Sequence, residues 1–162
     1  MCFASEASKP SAGARIYRAR RARNSSFLFI ILVIPPQSIT EISAQTGWHK
    51  NAGTDDPVTI SVCDVSGDCC SNSLNIPDHD DRVQGHLDTY SGPVVLGQCY
   101  NFVPATGCLT VTLEKPGSDG WNVQWTKVKL SGGRTFTCNF NIWLDDDNGH
   151  SNSETVQCQH DV

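Results

Sequence analysis

Aspartates recur in short polar segments of this 162-residue chain, and carboxylates placed in this way could bind a cation. Ca²⁺ takes about six to eight oxygen ligands, which loops from different parts of a fold can supply together. The alternative is a solvated acidic surface in which the aspartates only shape turns. The nine aspartates of these segments are Asp55, Asp56, Asp78, Asp80, Asp81, Asp119, Asp145, Asp146 and Asp147.

Catalytic groups are not evident in the sequence. A hydrolase needs a nucleophile, a base and an orienting acid on rigid elements, and no serine lies in a nucleophile-elbow pattern. The five histidines fall in turn-rich segments or near the end of the sequence. The segments "GSDG" and "SGG" have the composition of turns and not of phosphate-binding loops. We therefore predict a binding module and no enzyme.

The cysteines predict disulfide bonds and an oxidising compartment. Seven of the eight follow residue 38, namely Cys63, Cys69, Cys70, Cys99, Cys108, Cys138 and Cys158. Zinc-thiolate sites use pairs such as Cys-x-x-Cys, and the sequence has none. Adjacent Cys69 and Cys70 are expected to bond to different partners. The odd number predicts one thiol that is free or that links two chains in a disulfide dimer.

Charge divides the chain into two parts. Residues 1–38 carry a net charge of +5 and end in the apolar run "FLFIILVI", which is too short to cross a bilayer. A basic segment followed by an apolar one predicts a secretory signal, and thus an extracellular protein. Residues 39–162 hold six Lys/Arg and sixteen Asp/Glu, a net charge of −10, which argues against nucleic acid as a partner.

Runs of alternating apolar and polar residues predict strands after residue 39. They are "ITEISAQ", "PVTISVCDV", "RVQGHLDTY", the apolar "VVLGQCYNFV", "CLTVTLEK", "WNVQWTKVKL", "RTFTCNFNIWL" and "ETVQC", while "SGDCCSNSLNIPDHDD" is expected to be a connection. This pattern predicts an all-β fold, an antiparallel eight-stranded β-sandwich over residues 39–162 with a short C-terminal tail. A change of phase predicts a bulge near Thr126, with Trp121 and Trp125 in the core.

Four motifs resemble, in order, those of the PLAT domain, also called the lipoxygenase homology domain. The first is "TGWHKNAGTDDPVTISV", in which Thr-Gly and Ala-Gly-Thr-Asp precede an alternating strand. "VQGHLDTY" is similar to the family's Gly-x-x-Asp-x-Tyr segment, and "GSDGWNVQWTKVKL" to its Asp-Gly-Trp strand. "TFTCNFNIWLDDD" resembles its Phe-x-Cys strand with an acidic exit. The motifs together cover about residues 39–147.

The resemblance implies a C2-like sandwich that binds calcium with its end loops and then docks onto a membrane or a protein partner. It implies a ligand set of Asp55, Asp56, Asp78, Asp80, Asp81 and Asp119. Of the adjacent pair, Asp56 is the expected ligand, because the side chain of Asp55 can cap its own turn. Trp48 lies where membrane-contacting aromatics occur in the family.

Two other interpretations stay open. The chain could be an extracellular matrix protein whose acidic loops bind mineral, glycan or protein, or a subunit that targets a separate enzyme. The cysteine-rich stretch "GPVVLGQCYNFVPATGC" departs from the family pattern, and Cys99 and Cys108 are expected to close a local loop there.

Overall fold

Residues that alternate between apolar and polar form the strands of this protein, because alternate side chains of a strand point to opposite faces. The computed structural model describes residues 37–104, 108–146 and 149–161. The strands are β1 (Ile39–Thr46), β2 (Thr59–Asp64), β3 (Cys69–Ser73), β4 (Leu87–Ser91), β5 (Leu109–Glu114), β6 (Trp121–Leu130), β7 (Thr135–Leu144), β8 (Ser153–Gln157) and β9 (Gln159–His160). One short helix, α1 (Gly92–Leu96), precedes a 3₁₀ turn at Gly97–Cys99.

Two antiparallel sheets pack face to face around one apolar core. The first has the strand order β4-β1-β6-β7-β9, and the second has the order β3-β2-β5-β8. The predicted antiparallel sandwich is confirmed. The described residues form nine strands and not eight, because the final segment changes sheets at Cys158. β8 pairs with β5 in the second sheet, and β9 then pairs with β7 in the first.

Two segments differ from the sequence prediction. "VVLGQCYNFV" was expected to be a strand, but the short helix α1 begins at Gly92, with Pro93 in its first turn, and the 3₁₀ turn follows it. Proline is favoured in the first turn of a helix because the backbone N–H groups of that turn have no partner within the helix, so the N–H that proline lacks is not needed. The expected connection "SGDCCSNS" contains the edge strand β3, whose polar residues gave no alternating signal.

A bulge in β6 decides which tryptophans are buried. The register with β7 shifts between Val123 and Trp125, two residues earlier than the predicted bulge near Thr126. Because a shift by one residue reverses the face of every later side chain, Trp121 and Thr126 point into the core while Trp125 points outward. The predicted core position of Trp121 is confirmed, and that of Trp125 is wrong: its half-buried ring lies beneath the Lys127 ammonium, 5.3 Å from the ring centroid.

Three disulfides join pairs of cysteines within the described residues. The bonds are Cys63–Cys69, Cys70–Cys99 and Cys138–Cys158, which confirms that Cys69 and Cys70 bond to different partners. The expected Cys99–Cys108 loop is wrong, because Cys99 bonds to Cys70. Cys108 is disulfide-bonded as well, so the predicted free thiol is absent from the described residues. Disulfides of this number are typical of proteins in an oxidising compartment.

The predicted leader, residues 1–38, falls almost wholly outside the described residues. Within the described part of the chain, no helix has the length and apolar character needed to cross a membrane.

Candidate metal site

Three of the connections that pass between the two sheets line one cleft, with a volume of about 340 Å³. We call it the acidic cleft. Its lining residues are Asn51, Gly53, Thr54, Asp55, Asp80, Asp81, Arg82, Val83, Gln84 and Asp119. Four of the six predicted ligands, Asp55, Asp80, Asp81 and Asp119, are therefore brought together from three separate segments. The other two, Asp56 and Asp78, are not among the lining residues.

Main-chain contacts hold these connections close together. Thr54 Oγ1 donates to Asp119 O at 2.7 Å, and the Asp55 N–H donates to Asp119 Oδ2 at 2.9 Å. On the other side, the Thr54 N–H donates to Arg82 O at 3.3 Å. Gly53 permits this approach, because a Cβ atom there would lie 2.7 Å from Arg82 O. The spacing of the cleft walls is thus fixed by backbone groups and by the side chains of Thr54 and Asp119.

Asp56 has a different role from its neighbour. Its Oδ2 accepts hydrogen bonds from Lys115 Nζ and from the Asp119 N–H, both at 2.9 Å. The Lys115 side chain is fully buried and also donates to Gly117 O at 2.7 Å. The hydrogen bond from Lys115, followed by that from Asp119, holds the pKa of Asp56 below its ordinary value. Asp56 is therefore the counter-ion of a buried cation.

The segment between β3 and β4 is organised by two buried carboxylates. Asp81 Oδ2 accepts the Ile76 N–H at 2.6 Å, and Asp88 Oδ2 accepts the Arg82 N–H at 2.7 Å. The Arg82 guanidinium, itself buried, donates to Leu74 O. Burial raises the pKa of Asp81 above its ordinary value. These contacts fix the backbone that carries Asp80 and Asp81 to the cleft.

Asp78 lies on the outside of the same segment. Its side chain is exposed, and its backbone φ is +60°, a conformation that aspartate tolerates better than most residues. Asp80 is also exposed, but it reaches the cleft. The structure therefore separates these two predicted ligands by the direction that the loop gives them.

Trp48 is the most exposed tryptophan of the chain, with 71% of its surface accessible. Part of its ring lies against Gly85, where a Cβ atom would come within 2.5 Å of the ring carbons. Gln84, which lines the acidic cleft, donates to Trp48 O at 3.2 Å. Trp48 is thus held beside the cleft while most of its indole faces solvent.

The fold has known counterparts among solved structures. No protein-family model and no curated protein matches this sequence. Coral 8R-lipoxygenase matches with a TM-score of 0.60 at 18% identity, over 75% of this chain and 17% of that chain. The alpha toxin of Clostridium absonum matches with a TM-score of 0.55 at 18% identity, over 76% of this chain and 32% of the toxin. The fold is that of a PLAT domain.

The avian-strain alpha-toxin of Clostridium perfringens gives the same result, with a TM-score of 0.52 at 21% identity over 75% of this chain. Coral 8R-lipoxygenase is activated by calcium through its C2-like domain. This chain spans only 17% of that enzyme and 31–32% of the toxins, so the likeness concerns the PLAT fold alone.

Several residues that shape the acidic cleft were not identified from the sequence. Lys115 continues the inward series Leu109, Val111 and Leu113, and its even spacing could have predicted a buried side chain. His79 lies in a segment that was expected to be a connection, and Arg82 begins the predicted strand "RVQGHLDTY", whose first residues lie outside β4. No pattern of spacing marks either residue. The resemblance identified the acidic segments and favoured Asp56 over Asp55 as a ligand, but it gave no sign that Asp56 pairs with Lys115.

Proposed function

We propose that this PLAT fold is a secreted, non-catalytic module that binds calcium in the acidic cleft and then docks onto a lipid membrane through Trp48. The observation that carries the proposal is the convergence of four carboxylates from three connections on one cleft, with an exposed tryptophan tethered beside it. The three disulfides support an extracellular location.

The donor set of the acidic cleft fits calcium. Asp55, Asp80 and Asp119 supply carboxylate oxygens, and Asn51 adds a side-chain amide oxygen. Asp81 is left out of this ligand set because its side chain is only 1% accessible and its Oδ2 accepts the Ile76 N–H. Calcium selects such hard oxygen ligands and accepts irregular geometry. Four carboxylates in one cleft also repel each other, and a divalent cation offsets this repulsion. Asp56 is excluded from the proposed ligands because it neutralises Lys115, so Asp55 takes the role that the sequence had favoured for Asp56.

Docking onto a membrane follows from the position of Trp48. Tryptophan favours the interface between lipid and water because it has an apolar body and a polar N–H. A part of the chain with a net charge of −10 is repelled by anionic lipid. Calcium in the adjoining cleft would offset most of the local negative charge, weaken this repulsion and so allow Trp48 to reach the surface of an anionic bilayer.

Calcium titration tests the cleft. In calorimetry of the full, oxidised chain, we expect Asp55→Asn and Asp119→Asn to weaken calcium binding at least about tenfold, since even residues that only support a ligand contribute ~10–100-fold to metal affinity. Asp68→Asn is the matched control, because Asp68 is exposed in the hairpin at the other end of β2. Unchanged binding in both cleft variants would exclude calcium from the cleft.

Vesicle sedimentation tests the docking step separately. With phosphatidylserine-containing vesicles, we expect the wild type to sediment in calcium and to remain in solution with chelator. Trp48→Ala should lose most of this binding but keep its affinity for calcium, because the side chain contributes apolar area and no ligand. Trp125→Ala is the control, since Trp125 lies on the outer face of β6. Equal sedimentation of the two variants would refute a role for Trp48. If the wild type does not sediment in calcium, a protein partner replaces the membrane.

A further inference from the structure

A histidine and two buried carboxylates meet behind the acidic cleft. His79 Nε2 lies 3.2 Å from Asp88 Oδ1 and 4.0 Å from Asp81 Oδ1. One ligand atom of each of the three residues lies within 4.8 Å of the other two. Asp81 and Asp88 are almost completely buried, while about half of the His79 side chain is accessible. The two carboxylates are therefore shielded from solvent, while the histidine makes the group accessible to solvent on its own side.

One oxygen of this group lacks a partner. Asp81 Oδ1 is buried and accepts no hydrogen bond from any described residue, although the Asp81 side chain is only 1% accessible. A buried polar atom without a partner costs roughly 1–3 kcal/mol. The partner that is missing must be a donor or a cation, and His79 Nε2 lies 4.0 Å from this oxygen.

Both carboxylates are held with one oxygen directed toward the histidine. The Ile76 N–H binds Asp81 Oδ2, and the Arg82 N–H binds Asp88 Oδ2. The Arg82 guanidinium also approaches Asp81 from the Oδ2 side, at 3.7 Å. These bonds fix the orientation of both carboxylates, as supporting hydrogen bonds do for metal ligands in proteins. They leave Asp81 Oδ1 without a partner, and Asp88 Oδ1 lies within hydrogen-bond distance of His79 Nε2, at 3.2 Å.

We propose that His79, Asp81 and Asp88 form a zinc site, distinct from the calcium site proposed for the acidic cleft. One imidazole nitrogen and two carboxylate oxygens suit zinc, whereas calcium requires more ligands and only oxygen. Tetrahedral zinc places its ligand atoms about 3.3–3.6 Å apart. The separation of His79 from Asp88 matches this spacing, and that of His79 from Asp81 needs to shorten by about half an ångström. The accessible side of His79 leaves room for water as the fourth ligand.

Zinc titration of the full, oxidised chain tests the site. In calorimetry, we expect one zinc ion per wild-type chain, with His79→Gln and Asp81→Asn each weakening the affinity at least about tenfold. Asp81→Asn keeps an oxygen for the Ile76 N–H, so the loop should remain folded. His86→Gln is the matched control, because His86 is an exposed histidine on the same connection. The visible absorption of bound Co²⁺, lost in His79→Gln, should report nitrogen ligation directly.

The two proposed metal sites can fail independently. We expect His79→Gln to bind calcium as the wild type does, and Asp55→Asn to bind zinc as the wild type does. The zinc proposal is overturned if the wild type binds no zinc, if His79→Gln binds it unchanged, or if Asp55→Asn abolishes zinc binding, since the last result would place the ion in the acidic cleft.

Discussion

Asp56→Asn should destabilise the fold by about 2–3 kcal/mol, whereas Asp55→Asn, the adjacent substitution, should change the unfolding free energy by less than about 0.5 kcal/mol. The difference arises because Asp56 is the counter-ion of Lys115, whose side chain is fully buried. Removal of one partner leaves a buried charge without compensation. We place the effect below the usual range for a buried pair because 26% of the Asp56 side chain remains accessible, so water can reach its carboxylate.

Denaturant unfolding in the presence of chelator measures this effect without a contribution from calcium. The double variant Asp56→Asn/Lys115→Met is the decisive control, because it removes both charges and keeps a side chain of similar length. Its stability should return to within about 1 kcal/mol of the wild type. Equal losses in Asp55→Asn and Asp56→Asn would contradict the ion pair as the cause.

Lowering the pH should remove the stabilisation that the ion pair of Asp56 with Lys115 contributes. The pKa of Asp56 is lowered in the folded state, so its stabilisation is fully present above the ordinary value of 3.8 and is lost as the pH falls through the lowered pKa. Below about pH 3.8, the unfolding free energy of the wild type should therefore fall relative to that of the double variant. The raised pKa of Asp81 acts in the opposite direction, but it is common to both proteins.

Removal of Cys70–Cys99, as Cys70→Ala/Cys99→Ala, should cost about 3–4 kcal/mol of unfolding free energy. The bond spans 29 residues, and both cysteines are buried. It connects β3, which has only β2 as a neighbour in the sheet, to the 3₁₀ turn after α1. A longer closed loop restricts the unfolded chain more, so its removal costs more.

Cys63→Ala/Cys69→Ala provides the comparison. That bond spans six residues and joins two positions already paired between β2 and β3, so its loss should cost only about 2 kcal/mol. Chemical denaturation of both variants gives the order of the two costs. Hydrogen exchange should in addition show faster opening of β3 amides when Cys70–Cys99 is absent. A larger loss from the short bond would show that loop length does not set the contribution.

The sequence predicted the features that repeat along the chain. The alternation of apolar and polar residues predicted seven of the strands and the sandwich. The four motifs and their order predicted the PLAT fold and the acidic segments. It could not place Trp125, because the face of a side chain after a bulge depends on the residue at which the bulge occurs. It missed β3, because an edge strand held by hydrogen bonds and disulfides needs no apolar alternation.

The separate roles of Asp55 and Asp56 depended on a partner that is distant in the sequence. Lys115 lies 59 residues from Asp56, and only the packing of two connections brings them together. The same holds for His79, which meets Asp88 after an intervening turn. Short-range sequence patterns do not predict contacts between residues so far apart, although the even spacing of Lys115 from the apolar residues of β5 did indicate a side chain that points inward.

The bonds that fix the walls of the acidic cleft involve Asp56, Thr54 and backbone groups, and the side chains of Asp55 and Asp80 take almost no part in them. Of the carboxylates that would bind a cation, those of Asp55 and Asp80 are therefore nearly independent of the groups that maintain the fold, whereas the Asp119 carboxylate also accepts the Asp55 N–H. In evolution, Asp55 or Asp80 could be exchanged at little cost in stability, whereas exchange of Asp56 would threaten folding. One scaffold could thus diversify into descendants that need calcium and descendants that do not.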